Sequence, residues 1–228
     1  MNKFQHPALP FGAHIDDDGT WCQVLNRAGN RQPRPTLFLD RDGVVVEEVH
    51  YLSRPEDVQL TAGAARVIAA ANAKHIPVIL VTNQAGIGYG KFDWQDFIDV
   101  QERIVADLDA ENAFVNAVYA CPFHAKGRPP YQHPDHPCRK PNPGMLEKAA
   151  RHFAIDKQSS WIIGDRANDL EAGKRFQLAG GLHVATGHGA SADERQAAAA
   201  LTSELFQVVT APDIGMATDL LDLFDASE

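Results

Sequence analysis

The sequence predicts an α/β fold: a doubly wound, mostly parallel sheet with helices on both faces and no separate cap domain. Three observations point there. Short, unalternated apolar runs recur along the 228-residue chain, as in strands buried on both faces. Between them, apolar residues fall at helical spacing. Several of the runs end in polar, chemically capable groups, at the edge where open α/β sheets bind ligands.

Residues 1–34 are rich in Pro, Gly, Asn and Asp and lack a sustained period. They read as an N-terminal extension with a short strand at 21–25, ahead of a single domain over 35–228. Leu37, Phe38 and Leu39 form the first buried strand, and Gly43 frees the backbone to turn away. A long connection over 44–60 follows, then a helix facing inward through Ala64, Val67, Ile68 and Ala71. Residues 76–81 make the second strand, with Pro77 tolerated near its start. A glycine-rich loop over 85–91 precedes a helix capped by Asp93, whose apolar face is Phe97, Val100, Ile104 and Leu108.

Residues 115–120 read as the third strand, and 121–140 as a loop dense in Pro, His and Cys. Asn142 and Pro143 suit the cap and first position of the next helix. A fourth strand at 161–163 leads into a helix over 168–178. Later strands at 182–185 and 207–209 flank an Ala-rich helix, and a closing helix covers 214–224. Strands alternating with helices of this length imply right-handed crossovers.

The net charge of -9 excludes a broad nucleic-acid or acidic-membrane surface, which needs clustered Lys and Arg. No apolar run approaches the ~20 residues that span a bilayer, and the N-terminus lacks a signal-peptide pattern. Three cysteines are too few and odd in number for a disulfide framework, which favours a reducing, cytoplasmic setting. No nucleic-acid or membrane partner is expected, and the protein is expected to be a monomer or small homo-oligomer.

Three strand ends carry the chemistry: Asp40 with Asp42, Thr82 with Asn83, and Asp165 with Asp169. In a parallel sheet these ends share one edge, so residues remote in sequence converge. Carboxylates on neighbouring strands suit a hard divalent cation, typically Mg²⁺ beside a phosphate. Arg139 and Lys140, just before a helix start, can reach phosphate oxygens there. As isolated residues, Asp40 and Asp42 would pass for turn formers, Thr82 and Asn83 for caps, and Arg139 and Lys140 for a solvated pair.

The ordered set resembles the haloacid dehalogenase (HAD) superfamily of phosphatases over about residues 36–185. Asp40-Arg41-Asp42-Gly43-Val44 matches the first motif, Val81-Thr82-Asn83-Gln84 the second, Lys140 the third and Gly164-Asp165-Arg166-Ala167-Asn168-Asp169 the fourth. The local wording is similar to the D-glycero-D-manno-heptose 1,7-bisphosphate phosphatase group and its relatives, the histidinol-phosphate phosphatases. The resemblance implies Asp40 as nucleophile, forming an aspartyl-phosphate, and Asp42 as general acid and base. It implies Mg²⁺ on Asp40, the Asp42 carbonyl and Asp165. It also implies phosphoryl contacts from Thr82 and Lys140, support from Asn83, and Asp169 orienting Lys140 or the metal shell. Arg139, Arg166 and Tyr51 are candidates for contacting the rest of the substrate. Arg166 stands where many relatives have Lys, and the leader is unusual for the group.

The same group often carries Cys-x-His and then Cys-x-Cys before Arg-Lys. Here Cys121, His124, His136 and Cys138 offer the ligand types of a tetrahedral Zn²⁺ site in altered order, with His133 spare and Phe123 in the usual His position. A structural zinc pinning the loop, or a zinc-free loop with buried thiols, are both open.

Only 39 residues separate Asp42 from Thr82 and 57 separate Thr82 from Lys140, too few for an inserted cap. A P-loop at 86–91 fails on spacing and on Phe92, which excludes a kinase reading. Residues and resemblance together imply a Mg²⁺-dependent phosphatase whose partner is a small phosphorylated metabolite, a sugar bisphosphate by the resemblance. Histidinol phosphate is the alternative substrate, and a non-catalytic phosphate-binding domain the alternative class.

Overall fold

The structure, a computed structural model, describes residues 7–26 and 32–225. Parts of the leader, 1–6 and 27–31, lie outside the described residues. Among the described residues eight strands form one sheet: β1 Ala13–Ile15, β2 Trp21–Val24, β3 Leu37–Leu39, β4 Val78–Asn83, β5 Ala117–Cys121, β6 Trp161–Gly164, β7 Gly180–Val184 and β8 Gln207–Ala211. Their order is β1-β2-β5-β4-β3-β6-β7-β8. The pairs from β5 across to β8 are parallel, and the β1–β2 hairpin adds antiparallel to the outer side of β5. The mostly parallel α/β sheet expected from the apolar runs is the one observed.

The helices of the described residues are α1 Ala64–Ala73, α2 Ala85–Tyr89, α3 Trp94–Ala110, α4 Gly144–Ala149, α5 Ala167–Phe176, α6 Ala192–Ala199 and α7 Ala217–Leu220. Strand alternation divides the core. Leu37 and Leu39 face α1 and α3 through Val67, Ile68, Phe97 and Ile104. Phe38, between them, faces α4 and α5 through Met145, Leu170 and Phe176. The helical faces read from spacing on α1 and α3 are the buried ones. Asp93 caps α3 in a capping box with Asp96.

Three local expectations fail. The glycine-rich stretch after β4 is mostly the short helix α2, because Gly86 and Gly88 pack where a Cβ would meet the Phe92 ring and the Pro122 carbonyl. Asn142 does not cap α4. Its amide donates to Asp135 and the His136 carbonyl and accepts from Arg175, leaving Pro143 at the cap position. The closing segment is broken into two 3₁₀ turns around α7. No helix among the described residues is long and apolar enough to cross a membrane.

The leader is built into the sheet. Trp21, fully buried on β2, stacks on Trp94 at 5.5 Å and meets Phe97 edge-on at 5.3 Å. Replacing Trp21 with Ala should lower the unfolding free energy by about 3–5 kcal/mol, read as a lower midpoint in urea.

The β1–β2 turn also holds an ion cluster. Lys148 on α4 pairs with Asp16, and with Asp18 at 2.8 Å. Burial alone would raise both carboxyls, but the ammonium holds them below their ordinary values. Their contribution is therefore complete above the unfolded carboxyl value of about 3.9. It is lost as the pH falls through the lower folded value. The stability difference between wild type and Lys148→Met should be full at neutral pH and shrink below about pH 4, measured by urea unfolding across pH.

Candidate active site

Leu39 is in register with Leu80 on one side and Ile163 on the other, so β3, β4 and β6 run in step toward one edge. Asp40, Thr82 and Asp165 therefore leave the same edge side by side. They line a cleft of about 260 Å³, with Tyr51, Arg139 and Arg166 among the other lining residues. That is just below the usual range for ligand pockets, which starts at about 300 Å³. Among the described residues no second domain covers it: the connections after β3 and β5 hold loops, short 3₁₀ turns and the helices α1 and α4.

Lys140 lies at the centre, 2% exposed. Its ammonium is 2.9 Å from Asp40 Oδ1 and 2.6 Å from Asp169 Oδ1, and donates to the Val81 carbonyl at 2.7 Å. Burial works against the charged form, yet the two carboxylates outweigh it and hold the ammonium above the ordinary lysine range. Asn83 fixes the approach, donating to the Lys140 carbonyl and accepting from its N–H, each at 3.1 Å. Its amide is spent on positioning Lys140.

Asp40, Asp165 and Asp169 are buried and offer oxygens within 4.8 Å of one another. Burial first, with repulsion from neighbouring carboxylates and against the pull of Lys140, pushes Asp40 and Asp165 up from the usual carboxylate range. This donor set fits a hard divalent cation such as Mg²⁺. The fold leaves room beside it: a Cβ on Gly43 would lie 2.6 Å from Asp165 Oδ2, and one on Gly187 2.4 Å from it. Both glycines have positive φ, +80° and +51°. Asp169 also accepts the Arg166 N–H at 3.0 Å, starting α5.

Asp42 is held by residues to which the sequence assigned no role. Arg41, 1% exposed, directs Nε and Nη2 onto the Asp42 carboxylate at 2.9–3.2 Å. Its guanidinium carbon also lies 5.5 Å from the Phe97 ring centre. Gln84 donates to Asp42 Oδ2 at 2.9 Å and to Thr82 Oγ1 at 2.8 Å, bridging the two. Arg41 stands between two acids, and Gln84 two residues after Thr82, so alternation could have flagged both. His188 gave no such signal; its backbone N–H reaches Asp165 Oδ2 at 2.7 Å from the turn after β7.

The outer candidates are spread along the cleft. Tyr51, at φ 59°, rests against His50 and edge-on to Tyr89. Arg139 donates Nη1 to the Phe123 carbonyl at 2.9 Å. Arg166 is the cap residue of α5.

The tetrahedral zinc expectation does not fit. His124 turns away: its Nδ1 accepts from the Lys126 N–H at 3.0 Å and its ring meets Tyr89 at 5.1 Å. His136 lies flat on Phe123 at 3.9 Å, and its Nδ1 accepts from the Cys138 N–H at 3.1 Å. Burial pushes the Cys121 and Cys138 thiols up, to about 12 and about 11. Cys121 Sγ lies 3.9 Å from His136 Nδ1, but among the described residues no three of Cys121, His124, His136 and Cys138 bring their donors within 4.8 Å of one another.

Residues 137–211 match the HAD-hydrolase-like family model. The chain is 44% identical over 170 residues to the D-glycero-beta-D-manno-heptose-1,7-bisphosphate 7-phosphatase of Mesorhizobium japonicum, covering 75% of this chain and 78% of that one. It is 34% identical to the D-glycero-alpha-D-manno-heptose-1,7-bisphosphate 7-phosphatase of Photorhabdus laumondii, covering 75% and 92%. A crystal structure of D,D-heptose 1,7-bisphosphate phosphatase from B. bronchiseptica, complexed with magnesium and phosphate, superposes with TM-score 0.67 at 27% identity. It covers 82% of this chain and 97% of that one.

Fold and relatives together define a phosphoric monoester hydrolase of the HAD type. Within that class, the chain belongs to the family of the heptose-bisphosphate phosphatases.

Removing the Lys140 ammonium should show its weight directly. Lys140→Met should lower kcat/KM for an aryl phosphate by about 10²–10³, in steady-state assays on protein that circular dichroism shows to be folded.

Proposed function

We propose that the chain removes the 7-phosphate from a D-glycero-D-manno-heptose 1,7-bisphosphate. The observation that carries this reading is a buried nucleophile candidate, Asp40, set against the Lys140 ammonium and two further carboxylates at one sheet edge. The family relation supports the substrate, because the similar proteins bear that name.

Asp40 attacks phosphorus and the phosphorus–oxygen bond to the sugar breaks, leaving an aspartyl-phosphate. Asp42 protonates the departing sugar oxygen, then takes a proton from the water that hydrolyses the intermediate. Arg41 and Gln84 aim the Asp42 carboxylate for both steps. Lys140 and Thr82 hold phosphoryl oxygens, and the ammonium opposes the charge that accumulates there. Asp40, Asp165 and the Asp42 carbonyl are the residues that would hold Mg²⁺, which when bound offsets charge on nucleophile and phosphoryl group. Arg139 and Arg166, both on the cleft, suit the second phosphate of a bisphosphate.

The binding of a nucleic-acid 3′-end is disfavoured by the net charge of -9. Three free, buried cysteines fit a reducing compartment, so we place the protein in the cytoplasm.

Assayed with Mg²⁺, heptose 1,7-bisphosphate should release one phosphate and leave the 1-phosphate, with kcat/KM well above that for histidinol phosphate. Asp40→Asn should abolish release from both. A preference for histidinol phosphate would overturn the substrate, and full activity of Asp40→Asn the mechanism.

A further inference from the structure

Arg139 and Lys140 arrive at the site on a loop of irregular backbone between β5 and α4. Something must hold that loop, because the buried ammonium of Lys140 tolerates little displacement. The tetrahedral metal geometry is absent, and the fastening is found on the leader.

Asp18, in the β1–β2 turn, contacts the chain on both sides of Arg139 and Lys140, at Cys138 on the loop and at Lys148 on α4. Before them, the Cys138 thiol lies 3.7 Å from Asp18 Oδ2 in donor geometry. After them, the Lys148 ammonium reaches the same oxygen at 2.8 Å. Lys148 is 5% exposed and also pairs with Asp16. The turn holds its own shape through the Thr20 N–H, which donates to Asp18 Oδ1 at 3.0 Å, and through Gly19 at φ +83°. The hairpin in turn is anchored by pairing with β5 and by Trp21 in the core. Within the loop, the Phe123–His136 stack sits where the zinc-type donors were expected, and Arg139 donates to the Phe123 carbonyl beside it.

We infer that the leader hairpin is a metal-free clamp, in which Lys148 bridging Asp16 and Asp18, with Cys138 on Asp18, positions Arg139 and Lys140 for phosphate. Asp18 and Lys148 are positioning residues; neither lines the cleft. The inference rests on the phosphate-contacting roles proposed for Arg139 and Lys140.

Two measurements test it. First, purified wild type should contain less than stoichiometric zinc. Its melting temperature and its kcat/KM for an aryl phosphate should be unchanged by a zinc-selective chelator in buffer kept replete with Mg²⁺. Second, Asp18→Asn should lower kcat/KM by about tenfold at a temperature where circular dichroism shows it fully folded. Lys148→Met should do the same, and Lys148→Arg should restore most of the activity. Asp40→Asn, run alongside, reports on the phosphatase reading independently of the clamp. Stoichiometric zinc whose removal lowers the melting temperature would overturn the clamp. So would a folded Asp18→Asn protein with unchanged kcat/KM. If Asp18→Asn fails to fold, the comparison of Lys148→Met with Lys148→Arg and the chelator assay decide the matter.

Discussion

A buried ammonium sets the terms of this site. Lys140 touches a carboxylate at the end of β3, a carboxylate on α5 and a backbone carbonyl of β4. Taking a lysine out of water carries a penalty of several kcal/mol, which only close opposite charge can offset. The three strand ends must therefore stay in step to within hydrogen-bond distance. Their registers, fixed by Leu37, Phe38 and Leu39 against β4 and β6, make that possible. The same charge that fastens the sheet edge is the one available to an incoming phosphoryl group, so cohesion and chemistry share one contact.

Around that contact, the polar groups sort by what they hold. Asn83 spends its amide on the Lys140 backbone, while Arg41 and Gln84 spend theirs on Asp42. Glycine is required where Asp165 is approached: at Gly43 and Gly187 both the backbone angle and the space forbid a side chain. A carboxylate cluster crowded by backbone on two sides keeps its separations, which suits oxygen ligation of a small cation.

Much of this was legible from residue order. Buried strands announced themselves through apolar runs, and α1 and α3 through spacing, because both signals depend on local burial. The strand-end acids were legible because parallel topology dictates where they meet. What escaped depended on contacts between distant segments. The helical turn at 85–89 forms because its glycines let Phe92 and Pro122 close in, which no local propensity reveals. Asn142 has a cap's chemistry but finds partners in Asp135, His136 and Arg175. The cysteine and histidine spacing invited a metal, yet ring stacking between Phe123 and His136 is a three-dimensional preference that spacing cannot encode.

The antiparallel hairpin at the sheet's outer side has a further effect. Without it, β5 would present five residues of unpaired backbone, fully buried in the present structure, to any passing chain. With it, the sheet terminates in a three-residue strand, Ala13–Ile15, carrying a half-exposed histidine paired to an aspartate. Short, polar borders of this kind make poor templates for strand addition. The leader thereby guards the molecule against self-association at one flank, leaving β8 as the remaining border through which copies could pair.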